Sequence, residues 1–469
     1  MNETLLRQIP SVDSLLADAA GQGLVMRFGR EAFLKECRGV LDDLRSEILA
    51  DKLRAPVEEA LLRENLFRRI EHRVDEKFLS GLQKAVNATG ILMHSGLGRA
   101  VLSEPARQAL DDTSLAYCTL ALDLETGRRG QRDARVSRLL AELTGAEAAT
   151  LVNNNAAATV LILHALAKGK EVIVSRGQLV EIGGSFRMPD VMSTSGAILR
   201  EVGTTNKTHL RDYAEAIGPA TGAIIRVHHS NYRIVGFTAE PEIEELVELG
   251  AKHGVPVIDD LGSGALVDLR EFGLQTEPMV ARSVKAGADV ACFSGDKLIG
   301  GPQSGLIVGK ADAVNRIKKD PLARAFRCGK LTIAAMEATL KLFLRAESLK
   351  EHHPLYRMLS LGLDELQRRA RRVERSLKKR LPSEVQVSVV DDGSQVGSGS
   401  VPVETIPTKC LSVKTSTMGL EEMAKALRLG RPPVFSRIHK NALLFDFRTI
   451  QPVEDKVVEE AIRSLFPQT

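Results

Sequence analysis

Lys297 stands in the string Ser294-Gly-Asp-Lys297-Leu-Ile-Gly-Gly-Pro-Gln303, directly after the apolar run Asp289-Val-Ala-Cys-Phe293. A lysine at the mouth of a strand, with glycines behind it and a serine three positions before it, can reach into a closed pocket. Stripped of water there, its amine loses its proton and can attack an aldehyde, as in a Schiff base with pyridoxal 5'-phosphate (PLP). The Ser294 hydroxyl and the glycine amides suit the cofactor's phosphate. The same string also describes an ordinary surface loop, so the remainder of the chain has to decide.

Four further strings point the same way. Val152-Asn-Asn-Asn-Ala-Ala-Ala158 reads as a strand end followed by a helix start. Backbone amides there, around Asn154, Asn155 and Ala156, form a cup for an anion; simple helix capping is the plainer alternative. Val257-Ile-Asp259-Asp260-Leu-Gly-Ser-Gly264 puts carboxylates at a strand end roughly 40 residues before the lysine. A carboxylate in that place keeps a pyridinium nitrogen protonated. Asp259, directly after the apolar run, is preferred, with Asp260 as the alternate and a turn residue as the bland reading. Arg226-Val-His228-His229-Ser230-Asn231-Tyr232-Arg233 follows another strand, and His228 and Ser230 are candidates for contact with the ring or its hydroxyl. Val180-Glu-Ile-Gly183-Gly184-Ser185-Phe-Arg187 is a further glycine-rich strand exit, fit for close backbone approach or only for a tight turn.

These strings need elements to hold them. Strand-like runs alternate with helical ones from about Val86: Ala149–Val152, Glu171–Val174, Ala197–Leu199, Ala223–Val227, Val255–Ile258 and Asp289–Phe293, with helices at Ala156–Ala167 and Glu240–His253 between them. Such alternation predicts an α/β fold, a mainly parallel sheet wrapped by helices, with ligands at the carboxyl ends of the strands. The first 80 residues read as helical throughout, with Ser11 an N-cap, and carry 13 Lys/Arg against 15 Asp/Glu. After about Thr332 come long helices and then strands. Leu363, Leu366, Ala370, Val373 and Leu377 make one stripe, flanked by Arg368, Arg369, Arg371, Arg372, Arg375, Lys378, Lys379 and Arg380. That basic face is either a solvated helix surface or a contact for nucleic-acid phosphates. The boundaries expected are a helical N-terminal domain (1–80), a PLP-binding α/β domain (81–331) and a small α+β C-terminal domain (332–469).

At 469 residues the chain has room for such domains. No apolar run approaches the ~18 residues of a membrane span, and the N-terminus lacks a secretory layout. Five scattered cysteines show no metal-ligand spacing and read as reduced thiols, which favours the cytoplasm. The formal charge of +4 neither demands nor excludes a nucleic acid, and the absence of Trp argues against base-stacking platforms. Neither DNA nor a metal is expected.

Read together, Val86-Asn-Ala-Thr-Gly90, Gly96-Leu-Gly-Arg99, Asp123-Leu-Glu-Thr-Gly127, Asn153-Asn-Asn155, Glu181-Ile-Gly-Gly184, Val202-Gly-Thr-Thr-Asn-Lys207, Ser230-Asn-Tyr-Arg-Ile-Val-Gly236 and Ser294-Gly-Asp-Lys297 resemble bacterial selenocysteine synthase. The match reaches from Leu5-Arg-Gln-Ile-Pro-Ser-Val-Asp13 to Arg431-Pro-Pro-Val-Phe-Ser-Arg437. The resemblance implies a PLP-dependent transferase of fold type I with a sheet of the seven-stranded kind, acting on L-seryl-tRNA(Sec) with selenophosphate as selenium donor. It implies loss of water to aminoacrylyl-tRNA followed by selenium addition. It also implies an active site at a dimer interface, a ring-shaped homodecamer built from five dimers, and an N-terminal domain that grips the tRNA. That module's near-neutral charge gives the last point no independent support. By the same resemblance Arg99, Arg324 and Arg327 bind selenophosphate, and Asp296 supports catalysis beside Lys297. Arginine suits a small oxyanion, and Arg324-Ala-Phe-Arg327 is expected to set two guanidiniums one helical turn apart. Two rivals remain: a PLP-dependent lyase acting on a free amino acid or amino-sugar acid, and a noncatalytic binding protein on a retired PLP fold.

Overall fold

The computed structural model describes residues 6–50, 59–78, 81–183, 186–275, 277–401 and 404–466. The chain divides into two compact units, Met1–Lys84 and Ala85–Thr469.

The N-terminal unit is helical: α1 (Val12–Ala17), α2 (Ala19–Phe28), α3 (Arg30–Leu49) and α4 (Glu59–Phe78). Ser11 caps α1 as the sequence predicts, its hydroxyl accepting from the Ser14 amide at 3.1 Å. Phe33, Cys37, Val40, Leu41, Leu44 and Ile48 recur at three-four spacing along α3 and are buried with Leu66, Ile70 and Val74 of α4. Outside this seam Arg69 clamps Glu47 with two hydrogen bonds of 3.0 and 2.8 Å.

In the larger unit seven strands form one sheet: β1 (Ala148–Val152), β2 (Glu171–Ser175), β3 (Ile198–Val202), β4 (Thr221–Val227), β5 (Val257–Gly262), β6 (Val290–Ser294) and β7 (Gly305–Gly309). Their order is β1-β7-β6-β5-β4-β2-β3. Only β7 runs antiparallel, wedged between β1 and β6. Strands of Val and Ile with both faces covered are what parallel sheets require, and most residues of β2, β4, β5 and β6 are buried. Helix α5 (Asn155–Ala167) follows β1, and its Ala158, Leu161, Ile162 and Leu163 sit against the sheet face that carries Ile225, Ile258 and Cys292.

The C-terminal part of this unit adds helices and a four-stranded antiparallel sheet, β8 (Gln386–Ser394), β9 (Ile406–Lys414), β10 (Arg437–His439) and β11 (Ala442–Asp446), in the order β8-β9-β11-β10. The expected stripe lies on α7 (Leu363–Lys378), where Leu366, Ala370, Val373 and Leu377 are buried; Leu363, at the helix start, is 42 % exposed. Among the described residues no helix is long and apolar enough to cross a membrane, and no cluster of His, Cys, Asp and Glu is arranged to hold a metal ion.

Candidate active site

The polar strings gather at the carboxyl edge of the parallel strands. Lys297 leaves β6 through a turn that folds back on itself: the Gly295 amide donates to Ser304 O at 2.8 Å and the Gly300 amide to Lys297 O at 2.8 Å. Two glycines make the turn possible. A Cβ on Gly295 would lie 2.1 Å from Ser304 Oγ; one on Gly300, whose φ is +64°, would lie 2.1 Å from the His353 ring. From below, His353 Nε2 contacts Ile299 O at 2.9 Å and the Tyr356 hydroxyl donates to Leu298 O at 3.0 Å. The turn is therefore a fixed platform, and Lys297 on it is only 6 % exposed.

The Lys297 amine has no hydrogen-bond or ion-pair partner among the described residues. Burial pushes its pKa down and the Arg99 charge adds to that effect, against a weaker pull upward from Asp260, Glu277 and Asp296. A desolvated amine biased toward its neutral form is what attack on an aldehyde needs.

Of the two adjacent carboxylates, the alternation of side chains along β5 sends them to opposite faces. Asp260 shares its face with α5, accepting from Asn155 Nδ2 at 2.9 Å, Thr159 Oγ1 at 2.9 Å and the Gly262 amide at 3.1 Å. Its charge is also among those that act on Lys297. Asp259 points the other way, accepting from Ser283 Oγ at 2.6 Å and lying 3.6 Å from Arg226 Nη1. Burial raises the Asp259 pKa, against the pull of Arg226. The preference for Asp259 thus meets a geometry that joins Asp260, and not Asp259, to Asn155 and Lys297.

Asn154 caps α5, its side chain accepting from the Ala157 amide at 2.8 Å, so Asn155 and Ala156 form the first turn at the strand edge. Ser294 ends β6, 7 % exposed. His228 follows β4 with its amide donating to Asp260 O at 2.9 Å, and burial, with help from Arg226, lowers its pKa to about 4. Ser230 is buried beside Gly262, where φ is +64° and a Cβ would lie 3.2 Å from Ser230 Oγ. In the string Val180–Arg187, Gly184 and Ser185 lie outside the described residues.

The residues present fit PLP. A buried amine without a partner, a carboxylate across the strand edge and a capped helix start share one edge. The Asn155 Oδ1 atom is buried without a hydrogen bond among the described residues, a polar group that a bound molecule would satisfy.

Arg99 has a left-handed backbone, φ 62°, uncommon for a residue with a side chain, and its Nη1 donates to Asp296 Oδ2 at 2.8 Å. That bond joins an arginine to the neighbour of Lys297. Arg324 and Arg327 differ from expectation. Helix α6 (Pro321–Ala325) stops before Arg327, which instead pairs its backbone with Val152 in an antiparallel bridge, while the Asn153 amide donates to Phe326 O at 2.9 Å. The two guanidiniums are still neighbours: Arg132, then Arg324, lower the pKa of Arg327, with a smaller contribution from Arg129. Arg129 and Arg132 escaped the reading of the sequence, although Gly127-Arg-Arg-Gly-Gln-Arg132 adjoins a motif already singled out and repeated arginines in a glycine loop were a usable signal. Glu277 also escaped it. It has no exposed side-chain surface, lies 3.9 Å from His228 and acts electrostatically on Lys297, yet nothing in its local sequence marks it.

Comparison with known proteins agrees with this geometry. A family described as L-seryl-tRNA selenium transferase matches residues 85–451, and one described as selenocysteine synthase N terminal matches residues 6–45. The chain is 46% identical over 99% of its length to the L-seryl-tRNA(Sec) selenium transferase of Geotalea daltonii, covering 100% of that protein. It is 46% identical over 98% of its length to the one from Geobacter sulfurreducens, covering 99% of it. Among solved structures, D-glucosaminate-6-phosphate ammonia-lyase superposes with a TM-score of 0.58 at 19% identity, over 84% of this chain and 97% of that one, a likeness of fold. The shared feature is the fold, an α/β architecture around a mostly parallel sheet. On a family match over residues 85–451 and a relative 46% identical over 99% of its length, the chain belongs to the L-seryl-tRNA selenium transferase family.

Proposed function

We propose that this protein converts L-seryl-tRNA(Sec) to L-selenocysteinyl-tRNA(Sec), with PLP as its cofactor and selenophosphate as selenium donor. The observation that carries the reading is the buried amine of Lys297, unpartnered among the described residues and acted on by the Asp260 charge, in a chain of this family. Bound PLP supplies a ring that accepts the electrons left at the seryl Cα when its proton departs. Lys297 would hold the cofactor's aldehyde carbon, and its amine would take the Cα proton. Asp260, oriented by Asn155 and Thr159, would keep the ring nitrogen protonated; its bond to Asn155 supports it over Asp259, which bonds Ser283 instead. The first-turn amides of α5 (Asn155, Ala156), the cap Asn154 and Ser294 hold the cofactor phosphate, and His228 and Ser230 border the ring.

Arg99, set by Asp296, joins Arg324 and Arg327 in holding selenophosphate where it can deliver selenium to Cβ. The helical module of residues 1–80 grips the tRNA, and 81–331 and 332–469 act as the large and small domains of the transferase. The active form is a ring-shaped homodecamer in the cytoplasm. Family membership supports these last assignments.

The test is incubation of the PLP-loaded protein with selenophosphate and either seryl-tRNA(Sec) or free serine, following the amino acid on the tRNA. Selenocysteinyl-tRNA(Sec) is the expected product, and Lys297→Ala abolishes its formation. Conversion of free serine without tRNA would contradict the reading in favour of an eliminating lyase.

A further inference from the structure

The proposed reaction leaves one proton unassigned. Removing Cα–H puts a proton on Lys297, but the seryl hydroxyl is a poor leaving group and must itself be protonated to depart as water. We propose, on the basis of that reaction, that Glu277 is the acid that protonates the departing hydroxyl.

Glu277 reaches the site from the loop after β5. Its Oε2 accepts from the Val401 amide at 3.2 Å and stands 3.9 Å from His228 Nε2. The other oxygen, Oε1, is buried with no hydrogen-bond partner among the described residues. A carboxyl oxygen left orphaned out of water is costly, and a substrate hydroxyl would satisfy it. The surroundings also keep it an acid. Burial pushes its pKa up to about 7; the Val401 amide, Lys297 and Ser263 pull it down, and Glu404 pushes it up. His228 is held neutral, so it adds no positive charge that would ionise the carboxyl.

The segment that supplies the Val401 amide is itself strained. Ser398 and Val401 adopt φ of 52° and 49°, and a β-branched residue in that region is an outlier that the surroundings must enforce. A hydrogen bond of 2.6 Å between Ser263 Oγ and Ser400 Oγ, and one from Ser398 to Met93 O, fix the segment there. The strain aims one backbone N–H at Oε2 and leaves Oε1 for another partner.

The step balances. The Cα–H bond breaks and its proton passes to Lys297 Nζ. The Cβ–O bond breaks, the hydroxyl leaves with the Glu277 proton as water, and Glu277 remains a carboxylate that regains a proton from solvent before the next turnover.

The test compares seryl-tRNA(Sec) with β-chloroalanyl-tRNA(Sec), whose chloride leaves without a proton. Glu277→Gln keeps the shape and the Val401 contact; PLP content and Tm are measured alongside. Elimination from seryl-tRNA falls ~100-fold or more in the variant, whereas elimination from chloroalanyl-tRNA stays within about threefold of the parent. In the unsubstituted protein the seryl rate declines as pH rises through about 7, because the acid form is lost, and the chloroalanyl rate lacks that limb. This profile needs no variant. Equal losses on both substrates, an undiminished seryl rate, or identical pH limbs would overturn the assignment. If the parent processes neither tRNA, the functional reading itself has failed.

Discussion

Helix α7 and the turn after α6 both crowd arginines, but only the first supplies them with carboxylates. On α7, Arg369 is 5 % exposed and donates to both oxygens of Asp455 and to the carbonyls of Phe447 and Ile450. Arg372 shares Asp455, Arg371 and Lys378 share the buried Glu374 at 2.9 Å each, and Arg380 reaches Glu459. Around α6 the exposed Arg324 and Arg327, with Arg129 and Arg132, have no carboxylate partner among the described residues. They act on one another instead, enough to lower the Arg327 pKa. Arg369, Arg372 and Arg380 tie this helix to Asp455 and Glu459, while Arg371 and Lys378 pair with Glu374 on the helix itself. At α6, by contrast, Arg132, Arg324 and Arg129 act on Arg327 with no carboxylate among the described residues to offset them. The count of basic residues, which left α7 open as a solvated surface or a phosphate contact, says little until their partners are known.

Substitutions can break this contrast. Arg369→Ala leaves Asp455 buried with only Arg372, exposed at the rim, and is expected to cost about 3–5 kcal/mol of stability, read from chemical denaturation. Its KM for selenophosphate should not move in the protein that remains folded. Arg324→Ala and Arg327→Ala should do the reverse, raising the KM for selenophosphate roughly tenfold each while leaving the Tm in place. That rise should shrink at high salt, which screens the exposed charges of the unsubstituted protein. Arg372→Ala, at an exposed position, should cost about 1 kcal/mol or less and leave both KM values unchanged. A KM effect from α7, or a loss of folding from Arg327, would erase the distinction between the two regions.

How far these features were legible from the sequence varied with how local their causes are. Six of the seven central strands announce themselves as short, mainly apolar runs. The seventh, Gly305–Gly309, has only three apolar residues between glycines and follows a glycine turn; it is fixed by the strands on either side of it. The Asn154 cap and the Lys297 turn were readable because capping and glycine turns are local events. Asp259 and Asp260 could not be separated, since adjacent strand residues swap faces with a one-residue change of register. Helix α6 was expected to run on through Arg327, but pairing with Val152, some 175 residues earlier in the chain, ends it and no nearby residue signals this. Glu277 meets Val401 across 124 residues, a contact invisible to any spacing rule.

The central claim is that the Lys297 amine, kept short of water and without a partner, is where PLP attaches. Borohydride reduction of the protein incubated with PLP, followed by peptide mapping, tests it directly. One pyridoxyl group per chain on the peptide containing Lys297 is the predicted result. An active, PLP-loaded protein whose label falls on another lysine, with Lys297 unmodified, would contradict it.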